Sequence, residues 1–112
     1  MPSLREKKRF IVFEIISNNK FDEKQASDAI NSQCLSFLGE LGLSKAGIMF
    51  LPDKFKNNKG MIKVNNKYVN ELKSCLALTK KINNEDVIVR SIGTSGIINK
   101  AEGKYMIKEE VN

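Results

Sequence analysis

KRFIVFEIIS, residues 8 to 17, runs β-branched and aromatic side chains almost without interruption up to the turn-forming pair Asn18-Asn19. That composition and length predict a strand. Ile11, Phe13 and Ile15 fall on one face, and Phe10, Val12, Glu14 and Ile16 on the other. Apolar side chains on both faces suit a strand in the middle of a sheet, with neighbours on either side.

Outward from this strand, Asp22 offers a helix N-cap with Gln25 three residues on, a capping box, and Phe21 is placed to staple against Ala26. Ala26, Ile30, Cys34, Phe37, Leu38 and Leu41 recur at three- and four-residue steps, and Gly42 offers a stop. A helix over 23–41 is predicted. Gly47 to Leu51 reads as a short apolar strand closed by Pro52. A polar basic loop from Asp53 to Gly60 follows, then alternating residues from Met61 to Asn65. From Tyr68 to Ile82 the stripe Val69, Leu72, Cys75, Leu76 and Thr79 predicts a second amphipathic helix. Asn83-Asn84 makes a turn before the β-branched run Asp86 to Ile92, which ends in Gly93-Thr94-Ser95-Gly96.

The order β-α-β-β-α-β is that of the ferredoxin-like (RRM-like) split unit. This is an α+β fold with an antiparallel sheet, both helices on one face, and room for a short C-terminal helix. The chain of 112 residues reads as a single domain, 1–112. In sheet order 4-1-3-2, Ile11, Phe13, Ile15, Ile62, Val64, Val87 and Val89 should face the helices. Glu14, Lys63 and Arg90 then share the open face with Phe10, Val12, Ile88 and Ile92.

Charge narrows the function. The formal net charge is +6, with 19 basic against 13 acidic residues, and residues 53–81 hold eight lysines against Asp53 and Glu71. That leaves 11 of each sign elsewhere, so the whole excess lies in about a quarter of the chain. An anionic partner is indicated, although a lysine-rich solvated surface would give the same composition. Lys54, Lys56 and Lys59 on the loop, with Arg5, Lys7, Lys8 and Arg9 before the first strand, are candidates to neutralise nucleic-acid backbone. Lys63 and Arg90 extend that set across the open face. Base stacking has little support there, since Phe10 is the one aromatic on the two central strands of that face. Phe10, Val12, Ile88 and Ile92 instead suit a protein partner, or cover by the chain's own segment from Ile97 to Ile107; both readings stand.

Catalysis finds little footing. The chain has no His, which removes the commonest base near neutral pH and the commonest zinc ligand. Asp22, Glu23 and Asp28 sit where a helix start favours negative charge, and Glu85 and Asp86 are adjacent on a strand entry, a poor arrangement for clamping a metal. Cys34 and Cys75 stand 41 positions apart and read as small core residues rather than a metal pair or disulfide. Gly93 to Gly96 matches no phosphate-loop spacing and reads as a turn. No apolar run is long enough to cross a bilayer, and MPSLREKKRF lacks a secretory apolar region, so a cytoplasmic protein is expected.

Four segments carry a resemblance: LREKKRFIVFEI (4–15), LGELGLSKAGIMFLPDKF (38–55), KGMIKVNNKYVNELKSCLALTKKI (59–82) and VIVRSIGTSGIINKAE (87–102). In this order they resemble archaeal ribonuclease P protein component 2 over most of the chain, with the stretch from Ser17 to Asn31 divergent. The resemblance implies a subunit of the ribonucleoprotein that cleaves precursor tRNA at its mature 5′ end, in which the RNA carries magnesium-dependent hydrolysis. On this view the chain binds no cofactor and catalyses nothing alone. The implied partners are ribonuclease P RNA, ribonuclease P protein component 3 in a heterodimer or heterotetramer, other ribonuclease P proteins, and precursor tRNA within the complex. A competing class is a ferredoxin-like dimeric module for a small regulatory ligand, since fold alone does not decide function. RNA affinity that falls steeply with salt separates the two.

Overall fold

The computed structural model describes residues 7–96. In chain order the elements are β1 (Lys8–Ile16), α1 (Glu23–Ala46), β2 (Met49–Phe50), β3 (Lys59–Asn65), α2 (Val69–Leu78), β4 (Lys81–Ile82), β5 (Glu85–Asp86) and β6 (Ile88–Ser95). Four of the strands form an antiparallel sheet in the order β2-β3-β1-β6, the split-unit arrangement, while β4 and β5 make a separate two-stranded hairpin. The central placement expected of residues 8–17 is therefore the observed one. A C-terminal helix and the suggested cover by Ile97 to Ile107 fall outside the described residues.

The helix-facing side of the sheet is built as the alternation requires. Ile11, Phe13, Ile15, Ile62, Val64, Val87 and Val89 are all buried in one core with Ile30 and Cys34 of α1 and Leu72, Cys75 and Leu76 of α2. Each large side chain so removed from water contributes about 1.5–3 kcal/mol before the opposing chain entropy. Gly60 belongs to this packing by having no side chain. A Cβ there would stand 2.6 Å from Phe13 Cζ and 2.8 Å from Phe55 Cδ1, so the two rings close over bare backbone.

The helices depart from the sequence reading. Asp22 does cap α1, accepting from Gln25 N at 2.8 Å while its own N–H donates to Gln25 Oε1 at 3.0 Å. The helix does not stop at Gly42. It breaks at Gly39 (φ 75°, ψ 171°), resumes, and ends at Ala46, where Gly47 takes the left-handed cap. The break resets the helical phase. Leu38 and Leu43 flank it against the core and Ala46 is fully buried, whereas Phe37 and Leu41, expected in the core stripe, are 46% and 70% exposed. Helix α2 ends at Leu78 rather than Ile82, because Thr79 turns its hydroxyl back to Cys75 O (2.9 Å) and the chain enters the β4-β5 hairpin.

Two further differences lie in the strands. Asp86 belongs to β5, and β6 continues through Gly93, Thr94 and Ser95, which are strand rather than turn. The pairing Val12 with Gly93 and Phe13 with Ser91 leaves Ile92 as an extra residue, a β-bulge that side-chain alternation cannot reveal. The basic stretch after Pro52 is likewise not an open loop. Pro52–Lys54 form a 3-10 turn, and Lys56 and Lys59 bond to each other (Lys56 N to Lys59 O 2.8 Å, Lys59 N to Lys56 O 3.0 Å) across Asn57 (φ 54°) and Asn58 (φ 63°). Two left-handed central residues define the tight hairpin turn whose twist matches that of strands, and asparagine tolerates it better than most side chains.

Candidate nucleic-acid interface

The hairpin at Asn57-Asn58 is latched to the rest of the molecule. Asn58 is buried; its Oδ1 accepts from Phe21 N (2.9 Å), its Nδ2 donates to Asn19 O (2.9 Å), and its backbone oxygen accepts from Ile15 N (2.7 Å). One side chain thus ties the hairpin to the connection between β1 and α1. Asn19 in turn donates through Nδ2 to Glu85 Oε2 (2.7 Å), reaching the β4-β5 hairpin. Lys54, Lys56 and Lys59 consequently project from a fixed platform. Lys56 is exposed, while Lys54 and Lys59 are half-buried.

On the open face, Glu14 lies opposite Lys59 on one side and Arg90 on the other. Arg90 donates to Glu14 Oε1 through both Nε (3.1 Å) and Nη2 (3.0 Å), as the predicted register requires. This partly neutralises Arg90, which is offered to an RNA phosphate less freely than its sequence position suggests. Lys63 sits between Phe10 and Met49 in register, near the middle of the same face.

The remaining candidates lie at the opposite end of β3. Lys8 pairs with Asn65, and Lys7 O accepts from Asn66 N (2.8 Å). Arg9 donates through Nη1 to Lys8 O (3.2 Å). The seven residues of β3 separate this group from Lys59 by about 20 Å at strand rise. The candidates thus form two groups with Lys63 between them, and Arg5 lies outside the described residues.

Of the four apolar residues proposed for a protein partner, Val12 is fully buried, packed with Met61 beneath half-buried Phe10, Leu51 and Ile92. It offers no contact area. Ile88, 62% exposed beside its register partner Ile16, does. Three exposed residues of α1 that sequence reasoning missed as contact surface, Leu35, Phe37 and Leu41, add to the apolar area. Leu35 lies off the stripe read from three- and four-residue steps, and of the three only Leu41 follows the break at Gly39.

The cysteines behave as core. Cys34 and Cys75 are both fully buried, and burial pushes both thiols above their ordinary range; contact with Cys75 raises Cys34 further, while the hydrogen bond from Cys34 offsets part of the rise at Cys75. The hydrogen bond from Lys81 (2.7 Å), with its charge, holds the exposed Asp86 below the usual carboxylate range, which accounts for that acid as part of a hairpin ion pair. Among the described residues, no three His, Cys, Asp or Glu side chains gather as metal ligands, and no helix is long and apolar enough to cross a membrane.

Fold and surface together define a small α+β binding module of the split β-α-β-β-α-β type, with cationic side chains at both ends of its inner strand β3. The chain belongs to the Rpp14/Pop5 family, whose model matches residues 9–106. Among curated relatives, ribonuclease P protein component 2 of Thermococcus gammatolerans is 37% identical over 94% of this chain and 88% of its own length. The protein of that name from Methanosarcina mazei is 32% identical over 99% of this chain and 94% of its own. A chain in the cryo-EM structure of yeast ribonuclease MRP superposes with a TM-score of 0.68 at 14% identity, covering 96% of this chain and 93% of that one, which shows the fold.

Proposed function

We propose that this chain serves as the component 2 protein subunit of ribonuclease P, the cytoplasmic ribonucleoprotein that cleaves precursor tRNA to generate mature 5′ ends. The observation that carries this is the family match over residues 9–106, joined to relatives of that name aligned over nearly the whole chain. Bond cleavage falls to magnesium ions held by the RNA, which activate the attacking water and stabilise the leaving oxygen. Folding that RNA brings phosphates together, and lysines at both ends of β3 reduce their repulsion in place of part of the bulk magnesium. Ribonuclease P protein component 3 covers apolar area that the chain alone leaves in water, at Ile16 and Ile88 or at Leu35, Phe37 and Leu41 of α1.

The test is a magnesium titration of precursor-tRNA cleavage by an archaeal ribonuclease P RNA alone, with component 3, and with component 3 plus this chain. The chain by itself should cleave nothing. Adding it to component 3 should lower the magnesium midpoint below the value component 3 sets. An unmoved midpoint would remove the proposed role.

A further inference from the structure

Asn65 closes β3 and holds together three separate parts of the chain. Its Nδ2 donates to Lys45 O (2.6 Å) at the end of α1, and its Oδ1 accepts from Lys8 Nζ at the start of β1. The Lys8 ammonium lies 3.2 Å from where a Cβ on Gly47 would stand, so it rests against the left-handed cap of the helix, which a side chain at that position would crowd. The next residue, Asn66, donates its N–H to Lys7 O, and Lys67 follows in the 3-10 turn leading to α2. Lys7, Lys8, Lys45 and Lys67 are all exposed. Residues distant in sequence are thereby fixed at one end of the sheet.

Among the described residues, no acidic side chain forms an ion pair with the charge gathered there. The ion pairs found among the described residues, Lys24 with Asp28, Lys81 with Asp86 and Arg90 with Glu14, all lie elsewhere. Glu71, one turn along α2 from Lys67, makes none with it. Asn65, Asn66 and Gly47 lie among these lysines, and the exposed Leu41, one turn before Lys45, borders them as part of the apolar area of α1. Lysines are compact charges on flexible stems, suited to following an irregular run of phosphates rather than to bidentate recognition of one group.

We propose that Lys7, Lys8, Lys45 and Lys67, arranged around Asn65, form a docking site for the phosphate backbone of structured RNA, separate from the Lys54–Lys59 hairpin. This rests on the ribonucleoprotein reading above and adds Lys45 and Lys67 to it. The two sites stand about 20 Å apart along β3, with Lys63 between them, so the chain engages two stretches of backbone at once.

The experiment measures binding of the full-length chain to a labelled archaeal ribonuclease P RNA transcript across a salt series, for four proteins. The double variant Lys45→Gln with Lys67→Gln removes two contacts and should make the slope of log affinity against log salt shallower by about 1.5. Lys24→Gln with Lys80→Gln makes the same change in net charge at the first turn of α1 and just past the end of α2, away from both lysine groups, and should keep the wild-type slope. Lys45→Arg with Lys67→Arg preserves charge and should also keep it, which separates loss of contact from loss of fold. Equal slopes in the two glutamine variants, or a lost slope in the arginine variant, would overturn the site while leaving RNA binding by the chain intact. Loss of affinity for a polyglutamate probe without loss for RNA would assign the surface to an acidic protein and overturn it as well. A wild-type chain with no salt dependence would remove the ribonucleoprotein reading itself.

Discussion

Replacing Asn58 by alanine should cost about 3 kcal/mol, because the residue performs three tasks at once. Its side chain satisfies Phe21 N–H, on a buried residue, and Asn19 C=O, on an exposed one. An unsatisfied buried donor costs about 1–3 kcal/mol, whereas the Asn19 carbonyl can turn to water, so its loss costs about 0.5–1 kcal/mol. The third contribution is the backbone, since φ of 63° is tolerated by asparagine and disfavoured for alanine by about 1 kcal/mol. Urea unfolding of the purified chain should show a lower midpoint with an unchanged m value, and the melting temperature should fall by about 15 °C. Asn58→Gly separates the parts. It removes both amide bonds but frees the backbone, so it should lie about 1 kcal/mol above the alanine variant and clearly below the wild type. Full stability in Asn58→Gly would refute the latch, and an alanine variant within about 0.5 kcal/mol of wild type would refute the whole account.

Other substitutions test other parts of the structure. Glu14→Gln should change stability by less than about 1 kcal/mol, as a partly exposed pair does, yet tighten RNA binding and steepen its salt dependence by releasing Arg90; weaker binding would show that Glu14 itself is needed at the interface. Gly60→Ala should cost about 1–3 kcal/mol by forcing the Phe13 and Phe55 rings apart, read as a lowered unfolding midpoint, and a neutral result would mean the rings move freely. Cys34 and Cys75 should resist a thiol reagent in the folded chain and both react on unfolding. Because folding holds these thiols protonated while the unfolded chain ionises them near about pH 8.5, stability should be full below that pH and fall as pH rises above it. Urea midpoints at pH 7 and pH 10 provide the check, and equal midpoints would count against buried thiols.

The sequence by itself determined the architecture. Residues 8–17 are rich in β-branched and aromatic side chains, apolar on both faces and closed by Asn18-Asn19, which suits an interior strand. The helix stripes around Ile30 and Leu72 then place both helices on the side of Ile11, Phe13 and Ile15. The placement of Glu14, Lys63 and Arg90 on one face followed from side-chain alternation along the strands, because once one face is buried a slip of one residue would turn every apolar side chain to water; the register then chose Arg90 rather than Lys63 as the partner of Glu14. Tertiary structure decided whatever breaks the local period or joins distant segments. Periodicity could not show that Gly39, rather than Gly42, interrupts α1, since either glycine is locally permissible and packing of Leu43 and Ala46 chooses between them. Within the stretch read as a basic loop, the tight turn at Asn57-Asn58 is latched by Phe21 and Asn19, nearly 40 residues away. The lysines at the far end of β3 were visible as charges; that Asn65 joins the Lys8 ammonium to the backbone of Lys45 in the last turn of α1 is a contact that only the folded chain makes.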